Sequence, residues 1–443
     1  MLSEQEARSI VKKILSLSKA ENAFVSLDSE EVSHLRFARN TPSTSGHFTN
    51  TRITVSSTFG NKTGSASLNQ GDGDSLKTVV TRSEELAMLA PEDPEYLPPL
   101  GPQSYPAVRA YSPRTASAGP EVLAAGAEEC IRQATAKGLI AAGFIRLSSR
   151  SSAIGTSRSL FGYQRSTIAS ISETVRTPDG EGSGWVSRAF NNIDDLKFKD
   201  LSSIAVDKAR RSHSPRRLEP GEYVTILEPS CVAELVQSLV SSMDARSADE
   251  GRNYFSKPGG GNKLGEQLFP ATVSIYSDPS DPQVPGSMWG ESGLPQTRVD
   301  WVKNGVVTNL RSSRFWAGKQ GASPVPSPSN IIMKGGTGSL ADLIRSTKDG
   351  ILVTSFWYIR GVDPRTLLLT GLTRDGVFKI ENGTIAYPVM NFRWNDSPAN
   401  VLKNIEAMSL ASRVPSRESG SSSIVIPALR VKKFNFSSLS EAV

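Results

Sequence analysis

The chain has 443 residues, more than the ~250–300 at which a single hydrophobic core stops growing, so two domains are expected. A hydrophobic fraction of 37% and a charged fraction of 21% suit a soluble globular protein, and no apolar run approaches the roughly 18 residues that would span a bilayer. Fifty basic against 44 acidic residues give a net charge of +6, a solubility effect if spread evenly. Two cysteines, Cys130 and Cys231, exclude a disulfide framework and a zinc ribbon, and both are expected to be buried.

The opening "MLSEQEARSIVKKILSLSKAENAF" predicts an amphipathic helix with acidic residues in its first turn. It is not a charged-then-apolar leader, so the expected location is cytoplasmic. "AFVSLDSEEVSHLRFARN" and "TNTRITVSSTFGNKTGSASL" alternate apolar and polar residues, with "FGNKTG" as the turn, which reads as an antiparallel meander. "LKTVVTRSEELAMLAP" returns to helical spacing, and "PEDPEYLPPLGPQSYP" is a Pro-rich surface connector. A helix from Pro120 to Lys137 precedes the strands "LIAAGFIRLSSR", "SRSLFGYQRSTIASISETVR" and "GSGWVSRAF". A third helix, Leu201 to Ser212, runs into the basic run "DKARRSHSPRR". A helix C-terminus and linker attract such residues, and no aromatic interleaving accompanies them, which speaks against a nucleic-acid partner.

"VTILEPSCVAELVQSLVSSMDARSAD", Val224 to Asp249, reads as a strand, a break at Glu228-Pro229-Ser230 and a helix. The apolar face of that helix is Val232, Leu235, Val236, Leu239, Val240 and Met243. Beyond it strands dominate. "PATVSIYSDP", "TRVDWVKNGVVTNLRSS", "GILVTSFWYIRG", "LLLTGLTRDGVFKIENGTIAYPV" and "SSIVIPALRVKKFNF" carry expected turns at Asn304-Gly305, Asp375-Gly376 and Asn382-Gly383. Short helices are expected at Ser339 to Thr347 and Ala399 to Met408. The pattern predicts an α+β protein of two domains: residues 1–217, helices with an antiparallel sheet, and residues 218–443, a β-rich barrel-like domain.

No motif by itself declares an active site. "KPGGGNKLGE" lacks the Gly-Lys-Ser/Thr of a phosphate loop, and "GTGSLA" opens too short a helix for a dinucleotide site, leaving Ser339 as an N-cap. His34, His47 and His213 share no helix face at metal spacing, and no Gly-x-Ser-x-Gly elbow is present.

Taken in order, "LRFARN", "FGNKTGSASLN", "GSGW", "LEPGEYVTILEPS", "NKLGEQLF" with "SDP", "GVDPRTLLLTG", "IENGTIAYPV" and "PALRVKKFNF" resemble the TldD/TldE (PmbA) family of cytoplasmic peptidases, once described as modulators of DNA gyrase. The resemblance runs over nearly the whole chain. It implies a two-domain subunit that pairs around a chamber in which unfolded peptides are cut. In the TldD-type subunit the helix after "LEPS" carries His-Glu-x-x-x-His, two imidazoles for zinc and a glutamate that activates the bound water. Those positions are Gln237, Ser238 and Ser242 here, and the family's C-terminal cysteine ligand has no counterpart in "PSRESGSS", Pro415 to Ser422.

The departure resembles the TldE-type branch, and what it implies is a non-catalytic subunit of a TldD/TldE-type metallopeptidase. No catalytic residue, metal or cofactor is expected in this chain; zinc is expected in a TldD-like partner, forming a heterodimer that handles unfolded peptides. The alternative is a stand-alone homodimer that binds peptides without cutting them. Neither reading involves a membrane.

Overall fold

The computed structural model describes residues 1–418, 420 and 424–441. The first helix, α1 (Glu4–Leu17), begins on a capping box in which Ser3 and Glu6 satisfy each other's backbone N–H. Strands β1 (Asn22–Ala38), β2 (Thr41–Phe59) and β3 (Lys62–Leu68) form the meander, followed by α2 (Gly73–Leu89). After the Pro-rich connector come α3 (Pro113–Ala116), α4 (Pro120–Thr135), β4 (Ile140–Thr156), β5 (Phe161–Arg176), β6 (Ser183–Phe190) and α5 (Phe198–Arg211). All six strands join one antiparallel sheet in the order β3-β2-β1-β4-β5-β6. One end is covered by α1 and α2 through Val11, Ile14, Leu76 and Val80. The other end is covered by α4 and α5 through Leu123, Cys130, Ala205 and Ala209.

The "GSGW" glycines have a packing reason. A Cβ on Gly184 would lie 2.2 Å from the Ala205 carbonyl oxygen, and one on Gly182 would lie 2.4 Å from that of Ala209. Both contacts are with the backbone of α5, so only glycine lets this helix lie so close to β6. The strand β2 starts at Thr41, earlier than its apolar alternation suggests. Residues 41–48 are almost wholly exposed, and their register is set by the hairpin at Arg39 and Asn40 rather than by a buried face.

The second half contains, in order, β7 (Gly221–Leu227), α6 (Pro229–Ser242), α7 (Ala245–Asp249), β8 (Ile275–Ser277), β9 (Val299–Lys303), β10 (Val306–Val307) and α8 (Arg314–Lys319). Next come β11 (Ile331–Met333), α9 (Leu340–Arg345), β12 (Asp349–Asp363), β13 (Leu368–Glu381), β14 (Thr384–Pro388), β15 (Phe392–Asp396) and α10 (Pro398–Lys403). The chain finishes with β16 (Ile405–Met408), β17 (Ser412–Val414), β18 (Ile424–Ile426) and β19 (Leu429–Leu439). Strands β12, β7, β19, β15 and β13 pair in sequence and β13 pairs back to β12, closing a barrel to which β14 and β16 attach. A second sheet runs β10-β9-β8-β11-β18-β17. The α+β class with a β-rich barrel is therefore observed. No helix among the described residues is long and apolar enough to cross a membrane.

Two local expectations are corrected. Asp375-Gly376 is not a hairpin turn but an irregularity inside β13, where the register against β12 shifts between Val353 and Ser355. Both residues have positive φ; the extra length is a bulge that turns the buried Asp375 side chain toward β6. The helix expected over Ala399 to Met408 stops at Lys403, because Ile405–Met408 pairs with β19 as a strand.

Candidate functional site

The helix α6 follows β7 directly, with Pro229 in its first turn. Val232, Leu235, Val236, Leu239, Val240 and Met243 are all buried, as its pattern predicts, and they join the main core with Phe255, Trp301 and Val353. The three positions aligned with the family's zinc motif lie on the less buried side. Gln237 Nε2 donates to Ser241 Oγ at 3.3 Å. Ser238 Oγ donates to the Glu234 carbonyl at 2.8 Å, and Ser242 Oγ to that of Leu239 at 2.7 Å. An amide and two hydroxyls engaged with their own helix do not fit zinc, which favours imidazole, thiolate and carboxylate donors.

What the sequence reading missed lies one turn earlier. Glu234 is buried on an otherwise apolar stretch of α6. Its carboxylate accepts hydrogen bonds from Ser416 Oγ at 2.8 Å, Arg417 N at 2.5 Å and Glu418 N at 3.2 Å. Burial pushes its pKa up, opposed by these same hydrogen bonds. The helix thus grips the segment from Pro415 to Ser422; Ser419, Ser421 and Ser422 of that segment lie outside the described residues.

From there the contacts run outward. Arg417 donates to Asp375 at 2.6 Å, and Asp375 accepts from Ser183 Oγ of β6 at 2.6 Å. The Arg417 guanidinium lies 4.5 Å from the Trp185 ring centre and 4.7 Å from that of Trp357. One chain of polar contacts therefore ties α6, the C-terminal segment, the β13 bulge and the N-terminal sheet together. A carboxylate on an apolar helix face was the signal available in sequence; its partners, far away in the chain, were not.

Beside this network is a cleft of about 770 Å³, between α5, the outer edge of β6, the start of α6 and the barrel. Ile204, Leu340, Ile344, Leu352, Phe378 and Leu410 give it apolar walls. Lys208 and Glu228 pair within it at 2.6 Å, both largely buried.

The remaining expected residues do not assemble into a site. His34 stacks on Phe144, and His47 meets Ser33 and Glu31, all on the N-terminal sheet. His213 meets Asp179 at 2.9 Å and Glu181 at 3.8 Å on an exposed surface. The hydrogen bonds of Asp179 with Thr177 and His213 hold its carboxyl down to about 2. Lys257 and Glu266 clasp the "KPGGGNKLGE" loop at 3.0 Å, and Ser339 caps α9, as its sequence suggests. Both cysteines are buried, and burial pushes each thiol up. In the basic run, Lys208, Arg211 and Arg217 are each paired with a carboxylate.

Residues 220–438 match the profile of the PmbA/TldA metallopeptidase C-terminal domain. A protein named metalloprotease from Methanothermobacter thermautotrophicus is 22% identical over 289 residues, 60% of this chain and 61% of that relative's length. The crystal structure of TldE from Thermococcus kodakarensis superposes with a TM-score of 0.86 at 15% identity, over 97% of this chain and 99% of that one. A candidate modulator of DNA gyrase from Bacteroides thetaiotaomicron gives 0.85 at 20% identity, over 99% and 100%. At these identities the structural likeness shows the fold alone. The chain therefore carries a PmbA/TldA metallopeptidase C-terminal domain over residues 220–438, within a fold that it shares with TldE.

Proposed function

We propose that the chain is the non-catalytic, TldE-like subunit of a cytoplasmic TldD/TldE-type peptidase. It shapes the chamber and holds extended peptides, while a TldD-like partner supplies the zinc and cuts. The observation that carries this reading is the donor set on α6: Gln237, Ser238 and Ser242, each turned to its own helix. A metal-bound water needs a general base and at least three ligands, and none of these three side chains is a carboxylate or an imidazole. Peptide holding is supported by the edges of two sheets, β6 and β17, which end their strand orders beside the cleft. Such edges accept a backbone of any sequence by strand addition.

The test is to purify the native chain with its partner, identify the partner by mass, and assay metal content and peptide cleavage of each subunit and the mixture. A TldD-like partner whose cleavage rises on adding this chain supports the reading. A homodimer that binds peptides without cutting them replaces it with the stand-alone alternative. Cleavage by the isolated chain, with or without chelator sensitivity, rejects it.

A further inference from the structure

The cleft beside α6 contains three cations, Arg188, Lys208 and Arg211, and two carboxylates, Asp207 and Glu228. Two of the cations are neutralised, Lys208 by Glu228 and Arg211 by Asp207. Arg188 is left over. Its one hydrogen bond among the described residues is from Nη1 to the carbonyl of its neighbour Ser187, at 2.8 Å. No described carboxylate pairs with it, and Glu228, whose field reaches it, is already held by Lys208.

A guanidinium with five N–H donors in a partly desolvated wall is costly without an anion, and a carboxylate fits its fork in two parallel hydrogen bonds. Serine and threonine hydroxyls, among them Ser203, Ser230 and Thr354, share the wall with an apolar surface that includes Ile204 and the well-exposed Leu410. A volume of about 770 Å³ is that of sites for small molecules or short peptides. The outer edge of β6, including Trp185, Val186 and Ser187, runs along the cleft and offers backbone groups to an extended chain.

We propose that this cleft binds the C-terminal end of a peptide with an apolar last residue. Its carboxylate pairs with Arg188, its last side chain lies against Ile204 and Leu410, and its backbone runs along β6. The proposal rests on the peptide-holding reading above and adds the substrate feature recognised.

Binding of the tetrapeptide Ala-Ala-Ala-Leu to the purified chain tests it, with the C-terminal amide of the same peptide and octanoate as comparisons. The free acid is expected to bind at least about tenfold tighter than the amide, reflecting one charge-assisted bidentate pair. Arg188→Gln should remove that difference by weakening the free acid. Leu410→Glu, on an exposed wall residue that the fold does not need, should weaken the free acid by repelling it. Equal binding of acid and amide overturns the carboxylate site while leaving peptide holding intact. Octanoate binding as tightly as the peptide overturns the peptide assignment in favour of an apolar acid. No binding of either peptide sinks this proposal and the peptide-holding reading of the isolated chain together.

Discussion

Removing the Glu234 carboxylate should release the C-terminal segment from α6. Glu234→Ala takes away the acceptor for three donors: the Ser416 hydroxyl, buried with its residue, and the Arg417 and Glu418 amides, which are nearer the surface. A buried donor left unmet costs about 1–3 kcal/mol, and each partly exposed bond contributes about 0.5–1.5 kcal/mol. The raised pKa shows that burial of the charge already costs some stability, so the net loss should be about 2–4 kcal/mol. Glu234→Gln keeps one oxygen for the two amides, and the Ser416 hydroxyl can rotate to accept from the new NH₂. It should cost about 1 kcal/mol or less. Urea denaturation of the three proteins at pH 7, with amide exchange over residues 416–418, measures both effects. If alanine proved no more costly than glutamine, or if exchange in the segment stayed at the wild-type rate, the proposed grip would be wrong.

Glu173 is fully buried, with Ser202 donating to one carboxyl oxygen at 3.0 Å and no described partner on the other. Burial pushes its pKa from 4.5 up to about 7. As pH rises the unfolded chain loses this proton first, so stability falls between those two values, by up to about 3 kcal/mol. Glu173→Gln should therefore overtake the wild type above pH 7 and lose that advantage near pH 4.5; parallel urea-midpoint profiles would contradict this. Gly184→Ala should destabilise by about 1–3 kcal/mol or more, because the new methyl meets the α5 backbone; a thermal midpoint equal to wild type would show that α5 can retreat freely. Gln237→His, Ser238→Glu and Ser242→His together should still leave no zinc after dialysis, since no distal cysteine or orienting shell accompanies them. Stoichiometric metal in that variant would show that the helix alone suffices.

Local pattern determined much of this protein. The periodicity of α1, α4, α5 and α6, the Asn304-Gly305 and Asn382-Gly383 turns and the Ser339 cap are all where short-range chemistry puts them. That the helix after "LEPS" offers an amide and two hydroxyls at Gln237, Ser238 and Ser242 was legible because residue identities are facts of sequence. Elsewhere the same local rules misled. Asp375-Gly376 carries turn chemistry but lies within β13, because Asp375 finds Ser183 and Arg417 across the fold. Residues 41–48 lack apolar alternation yet form strand, because β1 supplies their hydrogen bonds. Ile405–Met408 leaves its helix for the same reason, with β19 as partner. The surroundings of Glu234 and Arg188 arise only in the folded chain. A charge is defined by what stands within a few ångströms of it: for Glu234 that is a segment some 180 residues further along the chain, and for Arg188 it is a cleft wall whose described carboxylates pair with other cations. Sequence spacing carries neither fact, because both arise from contacts that exist only once the sheet, the barrel and α5 have come together.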